Sequence, residues 1–135
     1  MSFIWSEAYS LHIKEIDSQH RRWVELIGGL NQAIVAGRTE QDLVSIFDKI
    51  FDFTKLHFAT EEKYFKEFGY EAADEHCAAH RAFIGRLNKL QDEVHENNKF
   101  QISLELAAML EMWVAEHVLK ADKKYEKCFH EHGLN

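Results

Sequence analysis

Proline is absent from the 135 residues, so nothing in the chain forces a helix to break or fixes a rigid turn. Cysteine is scarce. Cys77 and Cys128 stand apart, no Cys-x-x-Cys occurs, and two thiols make no disulfide framework; they read as reduced thiols packed like small hydrophobes. Unbroken apolar runs are only a few residues long, too short to span a bilayer. Positive charge is in deficit: 16 Lys and Arg stand against 23 Asp and Glu, a net charge of −7. With no basic stripe, nucleic acid and anionic membrane are disfavoured as partners. The opening MSFIWSEAYS lacks the basic-then-apolar order of a secretory signal, so a cytoplasmic protein is expected. With no internal repeat or low-complexity tract, residues 1–135 read as one domain.

What the chain does hold is hydrophobicity at helical spacing. Apolar residues make up 46% and aromatics 13%, too many for a disordered chain, and 135 residues can bury a sizeable core. Period 3.6 runs through four segments. The stripes are His20, Trp23, Ile27, Leu30 and Ile34; Leu43, Ile46, Ile50, Phe53 and His57; His76, His80, Phe83, Leu87, Leu90 and Val94; and Ile102, Leu106, Met109 or Leu110, Trp113 and His117. Gly37 and Gly69 suit helix ends in the left-handed conformation, Thr39 with Asp42 suits an N-cap, and Asn97–Asn98 separates the last two segments. Short joints between long helices predict an all-α, up-down-up-down antiparallel four-helix bundle over about 17–122. Residues 1–16 are expected to form an N-terminal arm anchored by Phe3, Ile4 and Trp5, and 123–135 a solvated C-terminal tail. Gly28–Gly29 lowers helix stability; a close helix approach or a kink would account for it.

The histidines occupy the stripes that the hydrophobes define. His20, His57 with Glu61 four residues on, His76 with His80 four residues on, and His117 with Asp122 five residues on all face inward. Unpaired burial of such groups costs roughly 2–7 kcal/mol each, so seven of them call for a common ligand. Imidazole and carboxylate suit iron, zinc or manganese, and seven donors exceed what one such ion takes. The spacing therefore predicts a two-metal centre. Residues four apart share a helix face, but five apart fall about 140° round an α-helix; a local bulge or helix end is needed to bring Asp122 back to His117. The economical assignment makes Glu61 and Asp122 bridges and the five histidines terminal ligands, three on one ion and two on the other. The second ion keeps a free position for a small molecule. His12, His95, His130 and His132 are read as non-ligands, and Glu62, Glu75 and Glu116 as pointing away from the ligands beside them.

This constellation resembles the hemerythrin family, whose members carry a non-haem di-iron centre that binds O2 reversibly. The local wording agrees: Ile16-Asp17-Ser18-Gln19-His20, His57-Phe58-x-x-Glu61-Glu62, Gly69-Tyr70 and Asp122-Lys123-x-Tyr125. Glu71 stands where many relatives have proline, and Tyr64-Phe65 replaces a common methionine region; neither removes a ligand. The resemblance implies that His76, His80 and His117 hold a saturated iron and that His20 and His57 hold the iron with the vacancy. Glu61 and Asp122 would bridge, with a third, oxo or hydroxo, bridge derived from water (Fe-O-Fe or Fe-OH-Fe). Counting formal charges, such a centre keeps its net charge on taking up O2, so an apolar pocket adds little solvation cost. Trp23, Phe58, Trp113 and Val118 are the candidates for that lining.

The function so implied is reversible O2 binding for storage, transport or delivery, not catalysis, with an oxygen-consuming protein as one recipient and a monomer as the simplest state. The alternatives are an oxygen or redox sensor acting through a separate partner, and a di-iron oxidase, peroxidase or nitric-oxide-handling enzyme. Ferritin-like oxidases use Glu-x-x-His pairs; this chain has none.

Overall fold

The structure is a computed structural model, described here for residues 4–135; Phe3 lies outside the described residues. Four long helices form the bundle: α1 Lys14–Val35, α2 Thr39–Phe68, α3 Ala73–Asp92 and α4 Lys99–Trp113. The chain runs on through a π-helical stretch, Val114–Ala121, and a 3₁₀ turn, Asp122–Tyr125, into a short α5, Glu126–Glu131. α1 packs on α2 and α4, and α2 on α3. Among the described residues no strand forms and no helix is long and apolar enough to cross a membrane.

The joints follow from local chemistry. Gly37 (φ 68°) and Gly69 (φ 62°) take the left-handed conformation. The amides of Arg38 and Tyr70 then reach back to Ala33 O and Phe65 O at 2.8 and 3.0 Å, satisfying carbonyls that the helix ends would orphan. The predicted Thr39 cap is corrected: Arg38 holds the N-cap position without a side-chain cap bond, and its guanidinium pairs with Asp42 at 2.9 Å. Between α3 and α4, Asn98 ties the loop, accepting from the His95 amide and donating to Glu93 O. Gly29 is exposed with nothing within 4 Å of an added Cβ, so close approach does not account for it.

Two hydrophobic clusters result. The larger fills the bundle interior with residues such as Trp23, Ile27, Leu30, Phe47, Phe58, Phe83, Leu106 and Leu110. In α2 the buried line runs through Leu43, Phe47 and Ile50, with Ile46 and Phe53 only flanking it. The smaller cluster joins Leu11, Ile13 and Ile16 to Phe65, Tyr125 and Phe129, with Cys77 and Cys128 packed against it as free thiols. It corrects two expectations. Ile4 is 71% exposed and Trp5 only half-buried, so Leu11 and Ile13 anchor the arm instead. The tail beyond Asp122 folds rather than trailing in solvent. Polar contacts also hold the arm: Lys123 Nζ of the tail donates to Ser10 O at 2.8 Å, and Asp17 of α1 accepts from Ser10 Oγ and the Leu11 amide.

Candidate metal centre

Between these clusters, each helix of the bundle delivers buried polar side chains to one place. α1 gives His20, α2 gives His57 and Glu61, α3 gives His76 and His80, and the π-helical stretch gives His117 with Asp122 at its end. The five-residue spacing is resolved as a helix expansion. The Asp122 amide donates to His117 O, an i→i+5 bond that stacks residues five apart, as π-helix does at functional sites.

The seven side chains fall into two overlapping groups, each with ligand atoms within 4.8 Å of one another: Glu61, His76, His80 and His117; and His20, His57, Glu61 and Asp122. Glu61 faces both ways. Its Oε1 lies 3.0 Å from His80 Nε2 and 3.6 Å from His76 Nε2, while Oε2 lies 3.5 Å from His57 Nε2. Asp122 does the same, with Oδ1 2.9 Å from His76 Nε2 and 3.1 Å from His117 Nε2, and Oδ2 3.2 Å from His20 Nε2. His20 and His57 meet Nε2 to Nε2 at 3.0 Å, as do His76 and His117. Two donors about 2.1 Å from a shared first-row ion, at right angles, would stand about 3 Å apart.

Electrostatics also demand a cation. Burial and neighbouring Asp122 both oppose ionisation of Glu61, yet His57, His76 and His80 hold its carboxyl down to about 2. Asp122 is likewise opposed by burial and likewise held well below the ordinary carboxylate range, by His117, His20 and His76. Burial drives His57 down to about 4 against the pull of Glu61, leaving a neutral imidazole at physiological pH. His76 goes the other way: its burial is outweighed by the adjacent Asp122 and Glu61 carboxylates, which raise it to about 9. Glu61 Oε1, His80 Nε2 and both Asp122 carboxylate oxygens are buried without a hydrogen-bond partner. Two walled-in carboxylates with orphaned oxygens are costly alone and fit a metal.

The outer ends of two imidazoles are held by residues that sequence reasoning passed over. Gln19 donates from Nε2 to Thr60 Oγ1 at 3.1 Å and so presents Oε1 to His57 Nδ1 at 2.7 Å. Glu62 Oε2 lies 2.8 Å from His80 Nδ1, which corrects the reading that Glu62 points away. Each contact places the proton on Nδ1 and turns the Nε2 lone pair to the centre. The signal was available. An imidazole has two ends, and neighbouring positions on a helix, about 100° apart, can serve both: Glu61 and Glu62 flank His80 in this way. Tyr125 is the third addition. Its hydroxyl, kept protonated by burial and by adjacent Glu61 and Asp122, donates to Glu61 Oε2. Glu116 turns outward to Lys120 as expected. His12, His95, His130 and His132 join neither group; His130 lies 3.0 Å from His12 O, and His132 stacks on Phe68.

Of the four candidate lining residues, Phe58 lies flat on His80 with centroids 3.8 Å apart and Trp113 on His117 at 3.9 Å. Trp23 stands 5.7 Å from His57, and Val118 is buried in the adjoining core.

Fold and site together define a helical-bundle protein with a buried histidine–carboxylate cation site. Residues 11–128 match the hemerythrin HHE cation binding domain, and the chain belongs to the hemerythrin family. A bacteriohemerythrin of Stenotrophomonas maltophilia (strain R551-3) is 32% identical over 124 residues, covering 90% of this chain and 78% of its own. One from Clostridium acetobutylicum is 25% identical over 130 residues, covering 91% and 98%. The crystal structure of a hemerythrin mutant aligns with a TM-score of 0.81 at 23% identity, over 95% of this chain and 98% of that one, a likeness of fold. Family membership and the donor set support binding of non-haem iron.

Proposed function

We propose that this protein binds O2 reversibly at a non-haem di-iron centre, for storage, transport or delivery to an oxygen-consuming partner. The observation that carries the reading is the double-facing pair of carboxylates. Glu61 and Asp122 each turn one oxygen toward the His20–His57 side and the other toward the His76–His80–His117 side. In this assignment His76, His80 and His117 would hold one ion and His20 and His57 the other, with Glu61 and Asp122 shared between them. Two ferrous ions held there would supply the two electrons that O2 takes up on binding. The two-histidine side, a ligand short of its neighbour, is where a small molecule enters.

The surrounding residues favour binding over turnover. Phe58 and Trp113 lay ring faces on His80 and His117, Trp23 stands beside His57, and Val118 backs them in the core; such apolar surroundings would exclude water and protons from the centre. Gln19 and Glu62 fix the tautomers of His57 and His80, so the nitrogens are aimed before metal arrives. Tyr125 holds Glu61 from the opposite side.

The test is a cycle. Iron(II)-loaded protein should colour in air and bleach under argon repeatedly, with two irons per chain by elemental analysis. His57→Ala should abolish the cycle, and His95→Ala, altering an exposed loop residue, should not change it. A single irreversible colour change with peroxide released would assign an enzyme instead. Reversible binding with a partner captured in only one state would assign a sensor.

A further inference from the structure

Two surface clefts reach the ring walls of the centre, and they are not equivalent. One, of about 200 Å³, opens directly on His76 and His117, beside Ala79 and Lys124. It meets the side that carries three histidines. The other, of about 260 Å³, lies between α2 and α3, lined by Lys55, Phe58, Ala59, Glu62, Arg81 and Ile84, with His80 in its floor. Its floor is nearly sealed: Phe58 and His80 are both buried and stacked almost parallel, 3° apart. The Phe58 ring centroid also lies 6.0 Å from that of His57 and 6.1 Å from that of Trp23. Phe58 thus touches a ligand of each group, lying on His80 of the three-histidine side at the cleft floor and adjoining His57 of the two-histidine side.

We propose that Phe58 is the door of the ligand route: small neutral gases enter through the α2–α3 cleft and pass when this ring swings off His80. The inference rests on the vacancy lying at His20 and His57, as assigned above. A phenyl ring stacked on an imidazole is held by dispersion and shape alone, with no hydrogen bond to break, and side-chain rotation is fast compared with helix motion. Ala59 is the exposed threshold of the cleft. A larger side chain there fills the approach without touching a ligand or Phe58's own helix contacts inside the bundle. Ile84, half-buried on the α3 side, forms the opposite jamb.

The experiment compares plugs in the two clefts, Ala59→Phe and Ala79→Phe, by two readouts. The first is stopped-flow O2 binding to the iron(II)-loaded protein. The second uses zinc-loaded protein carrying Trp5→Phe and Trp113→Phe, which leaves Trp23 as the sole indole of the three, and measures quenching of its fluorescence by O2. Ala59→Phe should slow both association and quenching by about ten-fold without changing the final O2-bound spectrum, and Ala79→Phe should leave both unchanged. Ile84→Ala should accelerate both, a gain of rate that misfolding does not mimic. Equal rates in both plugs, or slowing by Ala79→Phe alone, would overturn the route. If the unsubstituted iron protein binds no O2, the functional reading fails, while quenching in the zinc protein still decides whether gas passes Phe58.

Discussion

The two hydrophobic clusters on either side of the centre treat it differently. On the bundle side, Phe58 and Trp113 lay ring faces on His80 and His117, and the neighbours behind them are hydrocarbon or indole. On the arm-and-tail side one aromatic brings a polar group: Tyr125 donates to Glu61, while Phe65 meets His76 edge-on at 4.8 Å. One side keeps the centre dry and leaves it approachable. The other fixes a carboxylate through the Tyr125 hydroxyl. On the proposed reading, in which the site would admit a small molecule but not water, both kinds of wall serve it, and they come from different segments of chain.

That contrast can be broken most forcefully from the arm-and-tail side. Phe129→Ala, fully buried between Tyr125 and Phe65, should cost about 3–5 kcal/mol and loosen arm and tail together, raising hydrogen exchange at residues 10–17 and 122–131. Phe83→Ala in the larger cluster should cost a similar amount, with the protection of the arm retained. If both variants lose protection in the same places, the two clusters are one cooperative unit and the comparison falls. Removing bound metal is next: chelation should lower the thermal midpoint by roughly 10 °C, since a tight ligand adds about 4 kcal/mol at a thousand times its Kd. Calorimetry with and without chelator checks it. Smaller again is Gln19→Ala, which frees the outer end of His57 and should weaken iron retention by about 10–100-fold in a chelator competition, with the melting midpoint of the metal-free protein little moved. The smallest effect is on the exposed face: Gly29→Ala should raise stability by about 1 kcal/mol, read from denaturant melts, leaving iron content as it was.

The bundle could be read from the chain because each helix buries a face at 3.6 spacing, and Gly37 and Gly69 mark ends that backbone geometry demands. The seven inward positions were legible for the same reason, and so was the helix distortion, since His117 and Asp122 cannot otherwise share a face. What stayed hidden depends on reach between helices. Gln19 meets His57 from α1, and Glu62 meets His80 from α2; rotamers decide such contacts, and periodicity is silent on rotamers. The arm was misread because hydrophobicity drew attention to its first residues. Leu11 and Ile13 flank His12, whose left-handed backbone (φ 57°) bends the chain, and both are fully buried; apolar periodicity does not mark such a bend. In the tail, Tyr125 and Phe129 carry the four-residue spacing of a buried helix face, a signal outweighed by the polar residues around them.

The expanded stretch Val114–Ala121 has a structural cost that its side chains do not reveal. Widening a helix opens its axis and thins the contact across it, so this is where the backbone is least self-supporting. It bears His117 at its middle and delivers Asp122 at its end. A cation shared by these two side chains would act as a strut for the main chain, and shortening the segment by a residue would return a tighter coil without need of one.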